Sequence, residues 1–265
     1  MSIKNKFPRR QIQIVPLYPG PPPGADGSEL FDPSKAITAP ASAHLTYQGG
    51  QLLSSVKVFT VFWGPTFANG TLSSLPGQIN AFFDTILQGA LMDQMAEYNT
   101  GVYQVGKGTR IGSTIIQAPS SPNVSDADIQ AALQNWLGSN PDFPRADVNT
   151  LYFIYMENGV TVTMQGEGSC TAFCGYHGNI GNNIFYAVMP YPDCTGCLGG
   201  KSVIDALTGT SSHELCEAIT DAIPGSGWYD QGNNMEIGDL CAWQFKTVNG
   251  YNVQLEWSNQ ANACI

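Results

Sequence analysis

Charge is scarce in this chain. Of its 265 residues 12% are charged, with 11 Lys and Arg against 21 Asp and Glu, a formal net charge of -10. So few basic residues exclude the electropositive surface that nucleic acid or an anionic membrane requires. No apolar run approaches the roughly 20 residues of a membrane span. Histidine is rarer still, with three copies at His44, His177 and His213. There is no dinucleotide fingerprint, no phosphate loop and no internal repeat. Ser211 and Ser212 lack the nucleophile-elbow pattern of a serine hydrolase. The opening "MSIKNKFPRRQIQIVPLYPGPPPG" lacks the apolar core of a secretory signal. Export would then use a leader outside this numbering or another route, and an intracellular location is the alternative.

What is present reads as a loop-rich globular protein. The chain is 43% hydrophobic and holds 29 Gly and 17 Pro. Residues 1–43 are rich in Pro, Gly, Ser and Ala and read as an extended lead-in draped over the body. Residues 44–265 read as one domain. "VKVFTVFWG", "IGSTIIQAP", "TLYFIYM" and "IFYAVMPY" have the β-branched and aromatic content of strands, the second at a sheet edge. Helical spacing runs through "PGQINAFFDTILQGALMDQMAEY" and "SDADIQAALQNWLG", the latter with a Ser or Asp cap and a glycine stop. "KSVIDALTGTSSHELCEAITDAI" predicts a long helix, or two helices broken near Gly209. "YNVQLEWSN" alternates as a terminal strand. Interleaved strands and helices make the expected class α/β or α+β.

Four titratable residues crowd one stretch, "HELCEAITD". His213 and Glu217 are four apart and share a helix face, with Glu214 flanking them. Helical zincins place two metal ligands at this spacing, with a glutamate directly after the first as general base. Zinc takes His nitrogen and carboxylate oxygen at similar distances, so "HELCE" can substitute for HExxH. Downstream, "EIGDLC" brings Glu236 and Asp239. A catalytic zinc site needs three protein ligands and an open position. Glu236 would be the third ligand and Asp239 would orient His213 through its other ring nitrogen; the alternative exchanges these two roles. Asp221, two turns beyond His213, is expected to find a local partner. His177 in "CGYHG" is a candidate ligand or oxyanion donor, the alternative being a hydrogen-bonded turn histidine. Tyr229 in "GWYD" is a candidate oxyanion donor, the alternative being packing. Incidental charge on a solvated helix remains the ordinary alternative for HExxE itself. Cys170, Cys174, Cys194 and Cys197 have spacing that suits either a structural zinc site or two disulfides.

"CGYHG", "VIDALTGTSSHELCEAITD", "GWYD" and "EIGDLC" resemble the exordium-like, phosphate-induced protein family of plants and its bacterial and fungal relatives. "HLTYQGGQLLSSVKVFTVFWG" and "LEWSNQANACI" extend the resemblance from about His44 to Ile265. Plant members tend to have Asn before Pro at Asp221. The resemblance implies a zincin-like domain with a mixed sheet, an active-site helix and a cysteine-rich C-terminal part. It also implies an extracellular location, hence disulfides rather than zinc at the four clustered cysteines, a Cys241–Cys264 pair, and Cys216 as the odd buried thiol.

The expected function is therefore hydrolysis of peptide bonds by a Zn2+-dependent metallopeptidase. His213, Glu217 and Glu236 hold the metal, Glu214 deprotonates its water, and the strand near Ile111–Gln117 aligns the substrate. A peptide or protein is the expected substrate, and the chain is expected to act as a monomer. Two alternatives are kept: a non-catalytic extracellular protein that binds a cell-wall or surface partner, and a glycosidase using Glu214 or Glu217 with Glu236 as its carboxylate pair.

Overall fold

The structure is a computed structural model and describes residues 14–19 and 38–265. Most of the predicted lead-in lies outside the described residues. Its described part includes a short strand, β1 (Val15–Pro16), that joins the main sheet. The other strands of that sheet are β2 (Lys57–Trp63), β3 (Thr109–Ile116), β4 (Thr150–Met156), β5 (Phe173–Ile180) and β6 (Ile184–Met189). Their order is β1-β5-β6-β4-β2-β3. The four strands from β6 to β3 run parallel, and β5 is antiparallel to both its neighbours. The class is thus mixed α/β with a mixed sheet, as expected.

Near-continuous apolar runs in β2 and β4 follow from burial on both sheet faces. Phe62, Phe153, Tyr155 and Ala187 face one core; Val61, Tyr152, Ile154 and Val188 face the other. Helix α1 (Leu75–Ile86) packs into the first core and α2 (Asp126–Ser139) into the second. The first core also takes α3 (Val203–Thr220), the helix that carries "HELCE".

Several boundaries differ from expectation. The periodic stretch after Pro76 is not one helix. It stops at Ile86 and restarts at Ala90, because Gly89 is extended and serves as the next N-cap. Helix α2 starts as expected, with Ser125 capped reciprocally by Asp128, but runs through Gly138 to Ser139. Helix α3 is unbroken at Gly209. A Cβ there would lie 2.7 Å from the Phe245 ring and 2.8 Å from the Asn252 amide. The glycine therefore admits a hairpin, β7 (Phe245–Val248) and β8 (Tyr251–Gln254), against the helix. The predicted single terminal strand ends at Gln254, and Trp257–Ser258 pairs separately with Ala263–Cys264.

"CGYHG" is strand, not turn. It forms the middle of β5, where His177 pairs with Ala187 of β6. Gly175 is the reason this strand can lie close beneath α3. A Cβ on it would sit 2.6 Å from the Thr210 methyl and 3.3 Å from the Val188 carbonyl oxygen.

Six of the seven cysteines pair as Cys170–Cys194, Cys174–Cys197 and Cys241–Cys264, leaving Cys216 free and buried. The clustered cysteines are thus disulfides. Two of these bridges tie the start of β5 to the segment before α3. Three disulfides point to an oxidising compartment. Among the described residues no helix is long and apolar enough to cross a membrane.

The close approach of β5 to α3 gives a direct test. Gly175→Ala should cost about 1–3 kcal/mol of stability, the usual penalty for overpacking. Urea denaturation of the two proteins, compared at equal slope, checks this. An unchanged midpoint would show that strand and helix have slack between them.

Candidate metal centre

A helix buried on all sides is ordinarily apolar. Helix α3 is buried from Ala206 to Thr220, yet it carries Ser211, Ser212, His213, Glu214 and Glu217 along that length. Its polar groups are met by the surrounding strands. The Ser211 hydroxyl shares a 2.7 Å hydrogen bond with Tyr155 of β4. Ser212 Oγ donates to the Gly209 carbonyl at 2.8 Å and accepts from the Gln254 backbone N–H at 2.9 Å. The helix is thereby pinned between the sheet and β8, and "HELCE" is a buried feature rather than a solvated face.

His213 Nε2 lies 2.9 Å from Glu217 Oε1 and 4.0 Å from Asp239 Oδ1. These three residues offer ligand atoms that all fall within 4.8 Å of one another. Asp239 stands in a single helical turn, Asp239–Cys241, that the Cys241–Cys264 bridge fastens to the chain's end. Its backbone N–H donates to Glu217 Oε1 at 3.2 Å, and its Oδ2 accepts from the Glu236 N–H at 3.0 Å. Gly238 lies flat on the imidazole, where a Cβ would come within 2.8 Å of the ring.

The other nitrogen of His213 meets a residue that sequence reasoning missed. Gln254 Nε2 donates to the Gly238 carbonyl at 3.0 Å and faces His213 Nδ1 at 2.8 Å. The Gly238 carbonyl can only accept, so it fixes the amide's orientation. In a neutral ring Nδ1 would accept and the proton would sit on Nε2, while, against the cost of burial, Glu217 and Glu214 raise the His213 pKa well above the ordinary histidine value. Metal at Nε2 needs the opposite tautomer, with Nδ1–H donating outward. Loading the site therefore requires the Gln254 amide to turn its oxygen toward His213.

His177 enters from β5. Its Nδ1 lies 3.1 Å from Glu214 Oε2 and 3.5 Å from Glu217 Oε2. Its Nε2 is 3.2 Å from the Asp221 carbonyl and 3.8 Å from Glu236 Oε1. His177, Glu217 and Glu236 form a second set with ligand atoms within 4.8 Å. Asp221 is committed elsewhere. Its carboxylate accepts backbone N–H groups of Gly225, Ser226 and Gly227, closing the loop after α3 as the local partner the sequence called for.

The electrostatics are unbalanced. Among the described residues no Lys or Arg is buried, while Glu214, Glu217, Glu236, Asp239 and Glu256 are all at most 8% exposed. Burial and the neighbouring Glu217 charge push Glu236 and Asp239 well above the usual carboxylate range. Burial also raises Glu214, which the hydrogen bond from His177 partly offsets. Burial opposes protonation of His177, but Glu214 and Glu217 override it and raise its pKa to about 10. Burial likewise disfavours the Glu217 carboxylate, yet His213 and His177 lower its pKa to about 2. His213 Nε2, Glu214 Oε1, Glu217 Oε2 and both Glu236 oxygens are buried without a hydrogen-bond partner.

These orphaned atoms fit a cation. Around tetrahedral zinc, with bonds near 2.0–2.1 Å, neighbouring ligand atoms stand about 3.3–3.4 Å apart. The 2.9 and 4.0 Å separations from His213 Nε2 bracket that value. Nitrogen plus carboxylate donors suit zinc better than calcium.

The sequence offered two assignments, Glu236 with His213 and Glu217 or Asp239 in its place. The set grouped with His213 contains Asp239, and Glu236 stands with Glu217 and His177. Asp239 does not orient His213 from behind, because Gln254 occupies that side and Asp239 faces Nε2. Tyr229 lies in a two-stranded ribbon, Trp228–Tyr229 with Thr46–Tyr47, and is buried. His44 is exposed at a surface cavity with Tyr98 and Trp228. The strand expected to align substrate, β3, is at the sheet edge but four strands from β5. At about 4.8 Å per strand that is roughly 19 Å from His177, too far to present a peptide there.

A comparison with protein-family models finds no match, and one with curated proteins finds none.

Two outcomes test this site. Gln254→Leu should weaken zinc binding about 10–100-fold, the usual cost of losing a partner of a ligating histidine; competition against a chromophoric chelator measures it, and equal affinities would remove Gln254 from the site. The second concerns pH. Raised Glu236 and Asp239 values mean that their contribution to stability is present at low pH and lost as pH rises through their folded-state values. Metal-free protein should therefore melt lower at pH 8 than at pH 5, and zinc at pH 8 should restore the difference. A melting temperature that rises across this interval without metal would contradict the charge assignment.

Proposed function

We propose that the protein is a zinc-dependent, zincin-like peptidase of an oxidising, extracellular setting, related to the exordium-like family. The observation that carries this reading is the buried helix α3, which puts His213, Glu214 and Glu217 beside carboxylate oxygens that are buried without a hydrogen-bond partner.

His213, Glu217 and Asp239 would hold the zinc. When bound, the metal supplies Lewis acidity, activating a water and polarising the scissile carbonyl. Glu214 is the group that moves the proton. Its Oε1 is free of hydrogen bonds, its Oε2 is held by His177, and its raised pKa brings it toward the operating range of a general base. It takes the proton from water and delivers it to the leaving amine. Tyr229 remains the proposed oxyanion donor. The substrate is a peptide or protein, and β3 has no part in aligning it.

One observation favours a second reading. His213, Glu214, Glu217 and Glu236 are each 0% exposed. A peptide reaches such a site only if the covering chain moves aside. A non-catalytic extracellular protein that uses the metal to hold its core, and binds a surface partner elsewhere, needs no such movement. The glycosidase reading is weakened by the same groups, since His177 and His213 stand among the carboxylates that would have to act as a pair.

Glu214→Gln separates the two. In a peptidase this variant should keep its zinc and lose cleavage of a peptide library by at least about 100-fold, since general-base catalysis supplies 10²–10⁴. Zinc retained with no turnover in either protein would favour the structural reading. Undiminished cleavage by the variant would reject Glu214 as the base.

A further inference from the structure

We propose that the centre holds two divalent cations rather than one, with Glu217 as the carboxylate shared between them. This extends the zinc reading above and rests on it. The first cation is the one between His213 and Asp239. The second is held by His177 from β5, whose Nδ1 then exchanges its hydrogen bond with Glu214 for the metal, and by Glu236 from the loop before the helical turn.

Glu217 has the geometry of a bridge. Its Oε1 faces His213 Nε2 at 2.9 Å, and its Oε2 faces His177 Nδ1 at 3.5 Å. The two oxygens of one carboxylate thus address two imidazoles that arrive from different elements, α3 and β5. Each imidazole belongs to its own set of three potential ligands, and Glu217 is the member common to both. A carboxylate that spans two metals in this way sets them about 3.5–4 Å apart, the separation found in two-metal hydrolases.

The atoms that one cation would leave unmet point the same way. A single ion at His213 accounts for His213 Nε2 and one oxygen of Glu217. Glu217 Oε2 and both oxygens of Glu236 would still be buried without a hydrogen bond. Glu236 is 0% exposed, and its Oε1 lies 3.8 Å from His177 Nε2. Four carboxylates converge here, from Glu214, Glu217, Glu236 and Asp239, since Asp221 is satisfied by backbone N–H groups. One divalent ion offsets two of these charges and two ions offset four. The competing arrangement keeps His177 as an imidazolium between Glu214 and Glu217, and then only one ion binds.

Nitrogen and carboxylate ligands together suit zinc, cobalt or manganese. The test uses the metal-free 265-residue chain, titrated with cobalt(II) chloride after exhaustive chelation, with bound metal counted by elemental analysis. Two equivalents per chain are expected for the wild type and one for His177→Ala. Glu236→Gln preserves volume and should also bind one, so the test survives a failure of the alanine variant to fold. In manganese(II)-loaded wild type, electron paramagnetic resonance should show exchange coupling between the two ions, lost in either variant. Saturation of the wild type at one equivalent, with an uncoupled spectrum, overturns the proposal while leaving a mononuclear site intact. No binding at all overturns the zinc reading as well. Two coupled ions without peptide cleavage would retain the binuclear centre and reject only the peptidase activity.

Discussion

Burying an ionised carboxylate is among the most expensive things a fold can do. The idealised cost of moving such a group into a dry interior is on the order of 20 kcal/mol, and several kcal/mol remain after relaxation. Besides Glu157, which Thr66 hydrogen-bonds, and Asp230, which backbone N–H groups satisfy, six carboxyl groups, of Glu214, Glu217, Asp221, Glu236, Asp239 and Glu256, are buried, with no buried lysine or arginine among the described residues. Asp221 is answered by three backbone N–H groups. Glu256 lies beside the buried Cys216 thiol, and burial raises both. The remaining four converge on two imidazoles. Charge there is balanced only by protons or by a metal, and the sharing of Glu217 between the two histidines sets the geometry of either solution.

The rest of the fold makes that convergence possible. Small residues stand wherever another element must come close. Gly175 lets β5 carry His177 to the helix, Gly209 lets the terminal hairpin carry Gln254 to it, and Gly238 lets the loop lie on the His213 ring. Covalent bridges secure the same parts. Cys174–Cys197 fastens the start of β5, and Cys241–Cys264 fastens the turn that bears Asp239. Constraint is thus concentrated on the elements that deliver ligands. The other side of the sheet, around α2, is an ordinary apolar core of aromatic and aliphatic residues.

The fold class and the strands of the parallel core were legible, because runs such as "TLYFIYM" have a composition that only burial on both faces explains. The helix carrying His213, Glu214 and Glu217 was legible from spacing alone. Three things were not. From the sequence His177 is a candidate ligand or a turn histidine, but not the middle of a strand, where Gly175 serves close packing rather than a turn. Gln254 and Glu256 are buried on a stretch whose alternation with Val253, Leu255 and Trp257 suggested that they face outward. No local pattern marks a position where the chain leaves one hairpin and starts the next pairing. Which of Glu236 and Asp239 stands with His213 was left open by the sequence, which carried both assignments. The two are three residues apart in one loop, and only the turn at Asp239–Cys241 decides which reaches His213.

The enclosure of the site links its chemistry to its dynamics. Groups with no exposure can hold a metal tightly, but they exchange substrate only through motion of the covering chain. Whether the centre is catalytic or structural, the prior requirement is a cation among these carboxylates. The most direct measurement is diffraction from crystals of the purified protein at the zinc absorption edge. The account expects an anomalous peak within bonding distance of His213 Nε2, Glu217 and Asp239. A well-ordered site with these side chains in place and no peak among them, after growth with zinc in excess, would contradict it.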